Sequence, residues 1–245
     1  MEHPILFINL LLDSLGIHVP AEVHSITDGL LHSITDGLLQ PHVTYTWVIM
    51  LLVVALSAFA ARSVKMVPEG GQNFFETVIT GIEEFMIGVT GEEGRVMFPL
   101  IATLGFFILC SNYLGVIPGF YSPTANLNTT GACALIVVVM THVLGVKFHG
   151  IKYVKHFMGP VWWLTPLIMP IEIVGHLSRV LSLSIRLFGN VFGEELVLSI
   201  LFFLAGLYLA PVPMMILGLF TGFIQAFIFC LLSMMYFAGA IEHAH

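Results

Sequence analysis

Five long apolar runs, separated by short connections, place the strongest constraint on what this chain can fold into. Of its 245 residues, 58% are hydrophobic and only 9% are charged, and the mean hydropathy is +0.98. An ordinary soluble domain carries about 25% charged residues, and about 20 apolar residues are enough to cross a bilayer as a helix. The pattern therefore predicts an all-α integral membrane protein with about five membrane-crossing helices and no soluble enzyme module.

The chain is expected to divide into an external N-terminal segment, 1–43, and a single membrane domain, 44–245. The predicted spans are 44–61, 96–117, 129–146, 166–209 and 214–241. Between the first two, apolar residues recur at three- and four-residue steps, which predicts an amphipathic helix on the membrane surface. The N-terminal segment holds a tandem octapeptide, 24–31 and 32–39. Two copies are too few for a solenoid, so we interpret them as a duplication in a tolerant exposed segment or as an amphipathic surface piece.

The positive charges indicate which way the chain crosses the membrane. Six of the eight Lys and Arg residues lie in the connections 62–95 and 147–160, and none lies in 1–43 or 118–128. Connections rich in Lys and Arg face the cytoplasm. We therefore expect the N-terminus outside and the C-terminus inside, on the side of the cytoplasm or of its organellar equivalent.

The fourth run is too long for a simple perpendicular span. A continuous helix over the forty residues 170–209 would measure about 60 Å, twice the roughly 30 Å of the hydrocarbon layer. It must tilt steeply, bend or break, and Gly189 and Gly193 are the candidate bend points. Pro211 and Pro213 make the turn into the last run, so the last two helices are expected to be long and steeply tilted.

A polar stripe within this fourth run is the chain's main functional signal. At about 100° per residue, six polar side chains share one helix face: Glu172, His176, Arg179, Arg186, Asn190 and Glu194. An arginine at the centre of a membrane helix costs roughly 2.5–3.5 kcal/mol on insertion scales, and such residues mark ion or substrate pathways. The stripe predicts a wet, ion-lined face. The alternative is that these polar side chains form hydrogen bonds that hold neighbouring helices together. For Gln225, the only amide of the last run, the structural and the functional interpretation stay equally open.

Motifs of catalysis and of cofactor binding are missing from the sequence. There is no HExxH metal motif, no Gly-x-Ser-x-Gly nucleophile and no phosphate-binding loop. Cys110, Cys133 and Cys230 lie in apolar runs without metal-ligand spacing. Basic patches that would bind nucleic acid are absent too. We therefore expect no catalytic site, no metal and no cofactor.

Three segments carry a resemblance to a known family. The run 182–190, Ser-Leu-Ser-Ile-Arg-Leu-Phe-Gly-Asn, resembles the signature of subunit a of rotary F-type ATP synthases. Residues 225–236 are similar to the last helix of that family, and 123–128 resemble the loop before its third span. The resemblance covers the chain from about residue 44 to the end.

This resemblance implies a stator subunit that packs two long tilted helices against a rotating ring of c subunits. The peripheral-stalk b subunits and the lipid bilayer are further implied partners, and the chain itself binds no nucleotide. Two offset half-channels for H⁺ or Na⁺ each reach halfway across the membrane. Arg186 matches the fixed arginine that faces the ring carboxylates, and Glu195 matches an acidic group of a half-channel. Asn190 and Gln225 match polar positions near it, and Glu172 and His176 lie on the approach along the same helix.

Two points stay open against the family pattern. Some members carry a histidine seven residues before the glutamine of the last helix, where this chain has Gly218, and His176 is a candidate for the missing titratable group. Glu195 falls about 140° from Glu172 on the helical wheel, whereas Glu194 lies on the stripe. Either glutamate is therefore a candidate for the half-channel. A self-contained secondary transporter and a membrane scaffold are the alternative functions, although the two halves of the chain share no visible symmetry that would support the first.

Overall fold

The computed structural model describes residues 40–61, 71–150, 165–205 and 211–242, and within these ranges the chain forms helices and no strand. The α-helices are α1 (Pro41–Ala61), α2 (Gly71–Thr90), α3 (Phe98–Val116), α4 (Leu127–His149), α5 (Thr165–Ala205) and α6 (Pro211–Glu242). Two short 3₁₀ turns, Glu92–Met97 and Pro123–Ala125, precede α3 and α4. The tandem octapeptide lies outside the described residues, so its role stays a prediction.

Five of the helices are long and apolar enough to cross a membrane. These segments are His42–Phe59, Glu92–Val116, Leu127–His149, Ile168–Leu204 and Pro211–Ile241. The all-α class with five spans is thereby confirmed. The division into an external segment and one membrane domain remains a prediction.

Local sequence explains where several helices begin and end. The side chain of Asn126 accepts a hydrogen bond of 2.9 Å from the backbone N–H of Asn128, and it thereby caps the start of α4. Gly150 ends α4 and Gly91 follows α2, both with positive φ, at 56° and 73°. Residues with a Cβ rarely adopt this conformation, which is why glycine stops both helices.

The core lies between α3, α4, α5 and α6. α3 packs on α6 and α4 packs on α5, while α6 also contacts both α4 and α5. Large side chains that are almost fully buried come from all four helices: Ile101, Ile108, Val137, Leu144, Leu183, Leu187, Phe229 and Phe237. On α5 the buried apolar residues recur at intervals of four and seven, at Leu183, Leu187, Val191 and Leu198. The rest of that helix is largely exposed in the isolated chain.

α5 runs through both candidate bend points without interruption. It contains 41 residues, with Pro170 inside its first turns, and Gly189 and Gly193 are both helical. A break at these glycines, which the sequence left open, is not adopted. A helix of this length, about 60 Å, fits a hydrocarbon layer of about 30 Å by tilting or curving.

α2 is the amphipathic helix that the sequence predicted between the first two spans. Met86 is fully buried, while Glu84 and Glu76 are exposed on the other side. The Phe85 ring lies 5.7 Å from that of Phe227 on α6. The following 3₁₀ turn is tied back to α2 by an ion pair of 2.6 Å between Arg95 and Glu83.

Candidate functional site

Arg186 lies near the middle of α5, on its exposed side. Its neighbours Leu183 and Leu187 point into the core, so the helix turns the guanidinium away from the other helices of the chain. Among the residues that the structure describes, the guanidinium of Arg186 forms no hydrogen bond and no ion pair. A permanently charged group in a membrane helix requires an anion or water. Its five N–H donors are therefore available to a group other than these described residues.

One turn after Arg186, an amide pair joins α5 to α6. The Nδ2 of Asn190 donates a hydrogen bond of 2.5 Å to the Oε1 of Gln225. Gln225 is only 3% exposed, whereas Asn190 lies on the exposed side of α5. Two polar residues singled out in the sequence are thus direct partners. The bond fixes the register of the two long helices beside the arginine.

Glu195 points toward the connection between α3 and α4. Its Oε1 accepts a hydrogen bond of 2.8 Å from the backbone N–H of Ser122. Gly115 on α3 makes room for this contact, because a Cβ there would lie 2.7 Å from the Ser122 Cβ and 3.2 Å from the Glu195 Oε1. Burial and the nearby Glu195 carboxylate raise the pKa of Tyr121 in the same connection.

Behind Ser122 lies a chain of buried hydrogen bonds that we call the hydroxyl network, formed by Ser111, Asn112, Ser122 and Thr124. The Ser122 Oγ donates to the Ser111 carbonyl at 3.0 Å and lies 2.7 Å from the Thr124 Oγ1. Thr124 donates to the Asn112 Oδ1 at 2.8 Å, and Asn112 donates to the Gly222 carbonyl of α6 at 3.2 Å. The network therefore anchors the α3–α4 connection in the core, next to Glu195.

The sequence reading missed the hydroxyl network. Ser111 and Asn112 stand inside an apolar run, and no partner in the core was predicted for the polar residues of the connection 118–128. A signal was nevertheless present, because Ser, Thr and Asn close to a turn in a membrane protein need partners once they are buried.

Glu194 points in a different direction from Glu195 and lies against α6. Its carboxylate occupies the space beside Gly218, where a Cβ would collide with the Oε1. The Thr221 hydroxyl donates to the Glu194 Oε2 at 3.4 Å. Successive residues of a helix differ by about 100°, so a regular helix sends the two glutamates to two different neighbours. No irregularity at Gly189 or Gly193 is needed to orient Glu195.

His176 does not take the place of the histidine that some family members carry at the position of Gly218. It precedes Glu194 by eighteen residues of continuous α5, about 27 Å along the axis. The carboxylate of Glu194 occupies that space instead. His176 therefore does not fill the space beside Gly218, and its role as a titratable group elsewhere on α5 stays a prediction.

A second polar cluster surrounds His176, toward the start of α5. The His176 Nε2 lies 3.4 Å from the Glu172 Oε1, and its ring meets the ring of His142 on α4 edge to face at 4.5 Å. One turn further, the Arg179 guanidinium lies over the Tyr236 ring of α6 at 5.4 Å. The stripe predicted from the sequence is therefore divided into two clusters, with Arg186 between them.

The spacing along α5 sets the geometry of the site. His176 precedes Arg186 by ten residues, about 15 Å, and Glu194 follows it by eight, about 12 Å. Glu172 in the first cluster contacts His176 of the same helix, and the glutamates of the second cluster contact α6 and the α3–α4 connection. The arginine between the clusters has no ionic partner in the described part of the chain. Two polar clusters thus flank one fixed positive charge.

Comparisons with known proteins agree with the sequence motifs. The family model described as ATP synthase A chain matches residues 43–238. The chain is 75% identical over 247 residues to ATP synthase subunit a of Syntrophobacter fumaroxidans, with 100% of both chains covered. It is 54% identical to ATP synthase subunit a of Desulfosudis oleivorans, with 100% of both covered, and 56% identical to that of Geobacter sulfurreducens over 83% of this chain and 88% of the relative. The chain is therefore an integral membrane protein that belongs to the family of subunit a, the ion-channel subunit of F-type ATP synthases.

Proposed function

We propose that this chain is the stationary subunit that couples ion flow to rotation of a ring of c subunits, with Arg186 facing the ring carboxylates. The observation that carries the proposal is the exposed guanidinium of Arg186 between two separate polar clusters on one continuous helix. One cluster belongs to each of two half-channels. An ion enters through one half-channel, travels with the ring, and leaves through the other.

The fixed charge of Arg186 performs two tasks in this scheme. It attracts a ring carboxylate in its ionised form, so the carboxylate releases its ion as it passes. It also repels cations from the gap between the half-channels, which prevents a direct leak across the membrane. Each elementary charge that moves through 100 mV releases about 2.3 kcal/mol, and this energy drives the rotation.

The positive charges at the helix ends indicate on which side of the membrane each half-channel opens. Lys147 lies in the last turn of α4, and the positive-inside rule puts that end in the cytoplasm. Glu172 and His176, which lie near it, therefore belong to the cytoplasmic half-channel. Glu195 and Glu194 belong to the external one, together with the amide pair of Asn190 and Gln225. We place the chain in a bacterial inner membrane, N-terminus outside and C-terminus inside.

The exposed apolar side chains of α5 suit a protein partner in the bilayer. Leu177, Leu181, Ile185 and Phe192 are each about half exposed in the isolated chain. They provide an apolar surface around Arg186 on which helices of the c ring can move. The b subunits of the peripheral stalk hold the chain stationary, and nucleotide chemistry takes place in other subunits.

Isolation of the native assembly tests the proposal. We expect the chain, solubilised gently from membranes, to co-purify with a small, very hydrophobic ring protein and with a head that hydrolyses ATP. Ion pumping in reconstituted vesicles should then require ATP and the ring protein. A chain that purifies alone and carries ions without those partners would instead be a secondary transporter.

The contact at Gly115 gives a further prediction. Gly115→Ala inserts a methyl group 2.7 Å from the Ser122 Cβ, so Ser122 and the Glu195 carboxylate must shift apart. We expect ATP-driven pumping to fall several-fold, because misplacement of a reacting group by about 1 Å can cost as much as 100-fold. Gly131→Ala on α4 is the control, since its Cβ would lie 3.6 Å from the Ser184 Oγ, an ordinary contact. Equal pumping by both variants at equal assembly would show that this placement of Glu195 is unimportant.

A further inference from the structure

His142 is a titratable residue that neither the sequence reading nor the site around Arg186 uses. It lies on α4, seven residues before the end of that helix, and it is partly buried. Its ring meets the ring of His176 at a centroid distance of 4.5 Å and an interplanar angle of 84°. His176 in turn lies 3.4 Å from Glu172. Three titratable side chains from two spans thus form one continuous cluster, which we call the histidine cluster.

We propose that His142 and His176 form a proton-binding pair that passes protons between the ring side of the cytoplasmic half-channel and Glu172, which lies one turn nearer the cytoplasmic start of α5. This inference rests on the proposed function, because it assigns the histidine cluster to the cytoplasmic half-channel. It also goes further, since it names the ion on this side as H⁺ rather than Na⁺. Imidazole nitrogens bind protons and soft metals, whereas Na⁺ prefers oxygen ligands.

The geometry favours a pair that holds one excess proton at a time. Two imidazolium rings at 4.5 Å would repel each other strongly, so the second protonation is opposed. The Glu172 carboxylate stabilises the charge when the proton is on His176. In the transfer step, an N–H bond of the His142 imidazolium breaks as one forms on neutral His176. The proton then moves from His176 to an oxygen of Glu172, and no electron changes hands.

Two further basic side chains lie on the helices that carry the pair. Arg179 shares a face of α5 with His176, and its guanidinium is held over the Tyr236 ring of α6. On α4, His149 lies two turns beyond His142, and its Nε2 contacts the Ala240 carbonyl at 3.1 Å.

The test uses the complete ATP synthase in inverted membrane vesicles. His142→Phe keeps an aromatic ring for the edge-to-face contact but cannot bind a proton, and His149→Phe is the control on the same helix. We expect His142→Phe to slow ATP-driven acidification roughly tenfold at pH 7.5, less than the about 100-fold or more that a positioned proton-transfer group contributes to a chemical step. The pH dependence between pH 6 and 8.5 should flatten in this variant. The His149→Phe variant should keep the wild-type rate and profile.

Chemical rescue separates proton transfer from packing. His142→Ala leaves a space, and added imidazole should restore most of its lost rate, whereas it should not affect the His142→Phe variant. The double variant His142→Phe, His176→Phe should be no slower than the slower of the two single variants, since both residues serve one transfer. A wild-type rate and pH profile in His142→Phe would overturn the proposal, as would a wild-type enzyme that pumps Na⁺ and not H⁺.

A parallel Arg186→Ala variant keeps this proposal distinct from the proposed function. If Arg186→Ala stops pumping while His142→Phe pumps normally, the coupling role of the chain stands and the proton-binding pair fails. If Arg186→Ala pumps normally, the proposed function itself fails.

Discussion

Substitution of Arg186 by alanine is expected to abolish both ATP-driven pumping and ATP synthesis, the largest effect that we predict. Without the guanidinium, nothing holds the passing ring carboxylate in its ionised form, and the barrier between the two half-channels is lost. A passive ion leak should therefore appear. ATP-dependent acidification of vesicles and the decay of an imposed pH gradient measure the two effects. Assembly of the subunits must be checked in the same membranes.

Lysine should not replace this arginine. Arg186→Lys keeps a positive charge, but as a compact, strongly hydrated ammonium that loses its proton more readily when it is desolvated. We expect pumping to be lost or nearly lost. Arg179 provides the matched control on the same helix, because its guanidinium lies over the Tyr236 ring and a lysine there preserves both the charge and the cation–π contact. If Arg186→Ala assembles normally and still pumps well, the coupling role of Arg186 is wrong.

The second large effect is expected at Glu195. Glu195→Gln retains an oxygen that can accept the hydrogen bond from the Ser122 N–H, but an amide cannot carry a proton at neutral pH. Ion flux should therefore fall by about tenfold or more while the local structure is kept. Glu194→Gln should have a smaller effect, since Glu194 contacts the Gly218 and Thr221 side of α6 rather than the hydroxyl network.

Proton pumping by the two glutamate variants in the same vesicles decides between these positions. Gly218→Ala adds an independent check, because its methyl group displaces the Glu194 carboxylate without removing it. A larger defect in Glu194→Gln than in Glu195→Gln would show that the stripe face of α5 carries the ions. In that case the contact of Glu195 with Ser122 would be structural.

The membrane spans could be predicted from the sequence because composition and length determine them. A run of about 20 apolar residues can satisfy its own backbone in lipid only as a helix. Arg186 stood out for the same reason, since a permanent charge in such a run is costly. The amphipathic pattern of 63–95 likewise led to α2 (Gly71–Thr90).

Residues that depend on a neighbouring helix could not be predicted in this way. The helical wheel gave the directions of Glu194 and Glu195, but it could not show that the α3–α4 connection lies where Glu195 points. His142 is a single histidine in an apolar run, and only the packing of α4 on α5 brings it to His176. For the same reason, the distance between His176 and Gly218 became clear only when α5 was seen to be continuous.

None of the four side chains of the hydroxyl network can gain or lose a proton in the physiological range, since hydroxyls and amides stay neutral. The support of Glu195 is consequently the same in acid and in alkali, and salt has no charge there to screen. When the acidity on one side of the membrane rises, we expect the proton occupancy of the proposed external half-channel to change while the structure around Glu195 is preserved. Because the groups that support Glu195 are neutral, the pH difference across the membrane can change widely without altering the structure around this carboxylate.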